Sequence, residues 1–255
     1  MFGNSNLGKE MMMNKTSMRC GSTTQKPFFA RGVFRGGIAA ALLVASAMAA
    51  AAVEGDTYVY RVINAYNNEL RGHLSYRVDK AEGNRITQSV SADKPGLQTP
   101  TTEILTPEGK WLRHSIVNRE RLVDYNFSPA YPAYEFPLEP GKEWSIRVNA
   151  TNTETNSNHS VRVDGVVLGK ERIRVPAGEF DTIKIKRMIY AGDDVYYQQL
   201  KETNIFETEW YAPALGRAVR FERNSGYADL SRGVRNRTVR GDWEIFELVS
   251  APTAR

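Results

Sequence analysis

The sequence predicts an all-β domain of antiparallel strands, folded as a sandwich or as a strongly curved half-barrel sheet, preceded by a helical signal peptide. Three observations lead there. Apolar and polar residues alternate without a fault in Trp144–Asn149, Val161–Asp164, Ile183–Lys186 and Val219–Glu222. Period two with β-branched and aromatic residues marks a strand with one face buried and one wet. Turn chemistry then separates the runs: Glu82-Gly83-Asn84, Pro107-Glu108-Gly109, Glu139-Pro140-Gly141, Pro176-Ala177-Gly178 and Ala191-Gly192-Asp193. Finally, helical periodicity is absent after residue 53, so the crossovers a parallel sheet requires are missing.

Further strands are expected over Asp56–Tyr66, Leu70–Val78, Arg85–Ser91, Leu122–Phe127, Asn204–Tyr211 and Thr238–Val249. The polar stretch Asn152–Ser160 reads as an exposed loop carrying His159. No Pro/Ser-rich linker or internal repeat divides residues 53–255, which are expected to form a single domain.

The N-terminal 52 residues have another character. Lys26, Arg31 and Arg35 precede the apolar run Ile38–Ala45, and Ala47-Met48-Ala49 offers an A-x-A cut. Arg35–Val53 therefore reads as a cleaved secretory signal with an extended n-region, too rich in alanine and glycine for a membrane span. No Arg-Arg pair precedes the run, which favours the general secretory route. The expected location is periplasmic or secreted, with membrane contact only through the signal before cleavage.

Charge and cysteine follow the same division. The chain carries a formal net charge of +5 and one cysteine. Lys9, Lys15, Arg19, Lys26, Arg31 and Arg35 against Glu10 account for all of that excess, and Cys20 lies in the same segment. Residues 53–255 are formally neutral and cysteine-free. That removes the charge argument for nucleic acid and excludes disulfides, thiolate metal sites and thiol nucleophiles.

Three segments in order, Phe136–Trp144, Val175–Thr182 and Trp210–Arg217, resemble a group of exported β-rich bacterial domains of unknown function, including those called TapB-like. The resemblance spans roughly Pro132 to Phe221 and implies an exported location and a β fold. It implies no catalytic residues. Each segment also has a plain physical reading as a turn between strands, with Trp210 as a large buried anchor.

Signals for chemistry are few. His73, His114 and His159 are isolated, no G-x-S-x-G elbow occurs, and neither a metal-ligand spacing nor a cofactor motif is present. Asp193-Asp194 lacks the oxygen-rich ring of a calcium loop. Glu207 and Glu209 share one strand face at a spacing of about 7 Å, between the carboxyl separations of retaining and inverting glycosidases. Their plainer reading is a solvated strand face.

Two features point to binding. Tyr125, Phe127, Tyr131, Tyr134 and Phe136 crowd one twelve-residue segment; they cover an open end of the sheet, line an apolar mouth or stack on sugar rings. Arg217, Arg220, Arg223, Arg232, Arg235, Arg237 and Arg240 read either as a salt-bridged polar face or as a site for anionic groups. The expected function is non-enzymatic: binding or carrying a lipid or other amphiphile. The alternatives are an envelope scaffold holding a partner protein, and a glycan hydrolase using Glu207 and Glu209.

Overall fold

The computed structural model describes residues 52–192, 203–229 and 237–252. The segment read as an export signal, up to residue 51, lies outside them, as do Asp193-Asp194, Arg232 and Arg235. The described residues form twelve strands: β1 (Thr57–Asn64), β2 (Glu69–Glu82), β3 (Arg85–Ala92), β4 (Thr102–Leu105), β5 (Lys110–Asn118), β6 (Arg121–Pro132), β7 (Glu143–Asn152), β8 (Asn158–Val175), β9 (Gly178–Ala191), β10 (Thr203–Ala212), β11 (Arg217–Asp229) and β12 (Arg237–Ser250). Each pairs antiparallel with its neighbours in sequence, and β1 pairs with β12, so the sheet is a closed barrel.

The all-β antiparallel fold is as expected, and the full closure is more specific than the expected sandwich or half-barrel. An open curved sheet would leave two rows of unpaired N–H and C=O groups, whereas closure removes both edges. The first and last strands match: Tyr60 faces Leu248 across the seam, and Val62 faces Phe246. Bulges supply curvature at Val62/Ile63, Val78/Lys80, Trp111/Arg113, Val167/Gly169, Trp210/Tyr211 and Asn224/Gly226. His159 is not in a loop. It belongs to β8, half-buried, with its ring edge-on to Tyr125 at 5.9 Å.

Alternation decides what each strand turns inward. Val148 and Ala150 of β7, Val161, Val163 and Val167 of β8, Ile185 and Ile189 of β9, and Ile205 of β10 form one apolar cluster with Tyr125, Phe127 and Tyr131 of β6. Trp144 joins them because its β7 position faces Gly165 of β8. A Cβ at residue 165 would overlap the indole ring, so the close approach requires glycine. The alternate positions Ser145, Arg147, Asn149, Arg162, Asp164, Lys184 and Lys186 are half-buried or exposed. A wall so charged is the reverse of the apolar band of a membrane-spanning barrel.

The β8–β9 hairpin runs past the barrel wall. Its tip folds back, with the Ala177 N–H donating to the Leu248 carbonyl at 3.0 Å. Val175 then shares a second apolar cluster with Trp210, Ala212, Val219 and Leu248, against which Ile173, Ala177 and Phe180 pack. The Trp210 Nε1–H donates to Glu171 at 3.1 Å, and the Lys184 ammonium lies 4.7 Å from the ring. The segment Val175–Thr182 is a turn, as its sequence indicates, and it also straps Trp210 under the hairpin.

Candidate functional site

A cavity of about 700 Å³ lies within the barrel wall. Its rim includes Gly83 of the β2–β3 turn, Gly109 of the β4–β5 turn, Phe136 of the loop after β6, and Leu215 and Gly216 of the β10–β11 turn. All stand where even-numbered strands end, and this end is the mouth; Gln98, Pro100 and Leu122 line the cavity toward the opposite end. Inside, Leu74, Leu105, Trp111, Phe221 and Phe246 supply apolar wall, and tyrosines 58, 60, 76, 131, 134 and 211 supply aromatic wall.

Charged groups are set into that wall. Gly165, Arg187 and Glu207 lie side by side across β8, β9 and β10. Arg187 is only 7% exposed. Its Nη1 donates to the Ala133 carbonyl at 2.8 Å, and its Nη2 donates to Glu207 at 2.7 Å and to Glu209. The Tyr134 hydroxyl donates to the other Glu209 oxygen at 2.8 Å. The two carboxylates therefore share one cation.

Their ionisation diverges. Burial, reinforced by the charge of Glu207, raises the Glu209 carboxyl above its ordinary value despite Arg187. Burial also works to raise Glu207, but the charges of Arg187 and Arg223 prevail and hold it below the ordinary value. Burial works to lower Arg187, and the charges of Glu209 and Glu207 overcome it, so the guanidinium stays charged. Burial raises the phenols of Tyr131, Tyr134 and Tyr76, which remain protonated donors.

A second polar group sits on β3–β5. Glu103, 1% exposed, accepts from Gln88 at 2.9 Å and lies 2.8 Å from Nδ1 of His114. The imidazole stacks on Trp111 with ring centroids 4.5 Å apart. Among the described residues no group of three or more His, Cys, Asp or Glu side chains is placed to hold a metal ion.

The structure sorts the sequence candidates. Glu207 and Glu209 do not form a solvated face. Residues 203, 205, 207, 209 and 211 turn toward the interior, and Glu209 is 8% exposed. Of the aromatic segment, Tyr131, Tyr134 and Phe136 line the cavity, while Tyr125 and Phe127 belong to the adjoining apolar core. The described arginines do not share one face. Arg217 and Arg223 line the cavity. Arg220 turns to the other side, bridging Glu222 and Glu247 at 2.6 Å each. Arg237 lies on β12, and Arg240 is exposed.

The sequence does not single out Arg187, Glu103, Gln88, Trp111 or the tyrosines of β1 and β2. Arg187 does leave a signal: it interrupts the inward set Ile185, Ile189, Ala191 with a single charge.

No protein-family model matches the sequence. No curated protein matches it either. Among solved structures, the chain is similar to a candidate lipoprotein from Parabacteroides distasonis, at 16% identity and a TM-score of 0.44, over 78% of this chain and 96% of that one. It is also similar to a candidate exported protein with a YmcC-like fold from Bacteroides fragilis, at 16% identity and 0.41, over 79% and 97%. A third is the hypothetical lipoprotein YmcC from Escherichia coli, at 12% identity and 0.41, over 80% and 87%. At these scores the likeness is distant, and nothing of the neighbours' roles passes to this chain.

Proposed function

We propose that the barrel is a non-enzymatic binding or carrier domain of the bacterial envelope, holding a lipid or other amphiphile in its interior. The cavity carries this reading: about 700 Å³ of aromatic and aliphatic wall interrupted by charged groups, several of them paired with one another, within the size range of small-molecule sites. The envelope setting rests on the Arg35–Val53 segment. The charged outer wall suits a domain that surrounds an apolar cargo while staying in water.

The test is direct. Protein purified from cells that export it, extracted and analysed by mass spectrometry, should release an amphiphile in stoichiometric amount. The emptied protein should enhance the fluorescence of N-phenyl-1-naphthylamine, and Leu105→Trp, which adds bulk to the cavity wall, should weaken that binding. A protein that carries no lipid and binds no probe would end the proposal.

A second reading, glycan hydrolysis through Glu207 and Glu209, is favoured by one observation: their ionisation is driven in opposite directions, as an acid–base pair requires. Against it, both carboxylates are already held by Arg187 and one by Tyr134. Turnover of cell-wall glycan that disappears in E209Q would establish it over the carrier reading.

A further inference from the structure

Besides the exposed Arg85, three arginines line the cavity, and two of them hold carboxylates: Arg187 with Glu207 and Glu209, and Arg223 with Glu244 at 2.9 Å. Arg217 has no carboxylate partner among the described residues. It sits instead among tyrosine rings, its guanidinium carbon 3.7 Å from the centroid of Tyr58 and 5.7 Å from those of Tyr60 and Tyr76. Its Nε is buried without a hydrogen-bond acceptor, as are those of Arg187 and Arg220, but those two hold carboxylates through their other nitrogens. The Tyr60 hydroxyl donates to the Ala218 carbonyl at 2.7 Å. Aromatic faces and the neutral Tyr60 hydroxyl, which interacts with Arg217, compensate a shielded guanidinium only in part, because none of them carries a negative charge.

The acidic groups facing the same space are otherwise engaged. Glu207 and Glu209 are tied to Arg187, and Glu103 is tied to Gln88 and His114. Glu108, also in the lining, is held by Thr106, so among the described residues no carboxylate pairs with Arg217, where β11 begins directly after the rim residues Leu215 and Gly216. Farther along β11, past the small Ala218, comes Phe221, stacked on Phe246 with centroids 4.1 Å apart, and both line the cavity.

We infer that Arg217 is the head-group site of the cavity: it receives the carboxylate or phosphate of an anionic single-chain amphiphile whose apolar tail runs along Phe221 and Phe246. The inference rests on the carrier reading of the cavity and adds the sign of the cargo and its orientation, head toward the mouth. A guanidinium presents paired N–H donors to either anion.

Calorimetric titration of the delipidated full chain with sodium decanoate, decyl phosphate and 1-decanol tests it, each below its aggregation concentration at pH 8. A charge-assisted contact of this kind corresponds to about ten- to a hundredfold in affinity, so at least one of the two anions should bind that much more tightly than the alcohol. Arg217→Gln should reduce the ratio of anion affinity to alcohol affinity to near one, and Arg217→Lys should keep part of the preference. The comparison of decanoate with decyl phosphate identifies the head group. Equal affinity for all three in the parent protein, or an anion preference that survives in a folded R217Q, overturns the head-group assignment while alcohol binding upholds the cavity. Binding of none of the three overturns both. If R217Q does not fold, an Arg217 Nε–H resonance of the parent protein that stays in place on saturation with decanoate or decyl phosphate has the same meaning.

Discussion

Replacing Arg187 with methionine tests whether the triad inside the barrel is a closed electrostatic set. Methionine keeps an unbranched side chain in place, so the change falls mainly on charge and hydrogen bonding. Three bonds vanish at once, to Ala133, Glu207 and Glu209. Removing one partner of a buried ion pair costs about 3–5 kcal/mol, because the other charge is left buried and unpaired. Two carboxylates are stranded here. Glu209, with its carboxyl already raised, relieves part of the penalty by taking a proton, which keeps the expected loss near about 3–5 kcal/mol rather than double that. In a domain of this size each kcal/mol moves Tm by about 2–4 °C, so the midpoint should fall by roughly 6–20 °C. Urea unfolding followed by tryptophan fluorescence at pH 7 gives the free energy. R187M/E207Q/E209Q should recover most of the loss, since neutral amides do not require the cation. A loss below about 1 kcal/mol, or a triple variant no more stable than R187M, would refute the reasoning.

Three other outcomes are expected. Glu209 has a raised folded carboxyl, so the folded state binds more protons than the unfolded one above about pH 4.3, and Glu209 subtracts stability as pH rises from there through its folded value. E209Q should therefore gain stability relative to the parent as pH increases from about 4.3 to 7, by denaturation midpoints across that range. Gly165→Ala forces the Trp144 ring aside and should cost about 1–3 kcal/mol with a changed near-UV circular dichroism spectrum; an unchanged spectrum would contradict the packing. Trp210→Phe removes the bond to Glu171 and should cost about 0.5–1.5 kcal/mol, with faster proteolysis at the β8–β9 tip.

Much of the fold is legible in the sequence. Trp144–Asn149 and Val161–Asp164 alternate because one face packs on apolar neighbours and the other meets water, and both stretches are strands. Every expected turn among the described residues falls between strands. Two strands escape a reading of the sequence for physical reasons. β4 is four residues long, too short to show a period, and in β5 the bulge at Trp111/Arg113 shifts the register so that Leu112 breaks the alternation. Closure is not legible because it depends on pairing Tyr60 with Leu248, and nothing local to either strand announces the other. The site is partly legible. Alternation places Glu207 and Glu209 on one strand face, but which side that face turns to depends on Arg187 of the neighbouring strand. Composition singles out Tyr134 and Arg217; the role of Tyr134 comes from Glu209 and Arg187, and that of Arg217 from the tyrosines of β1 and β2, which look like ordinary core residues in the chain.

The seam between β1 and β12 also bears on how the molecule comes to exist. The first strand finds its outer partner only when Thr238–Val249 has been synthesised, so a nascent chain cannot complete its ring on the ribosome before the final strand emerges. Until then, two open sheet edges compete for any extended partner, and the folding step that joins the most distant residues comes with the highest loop entropy.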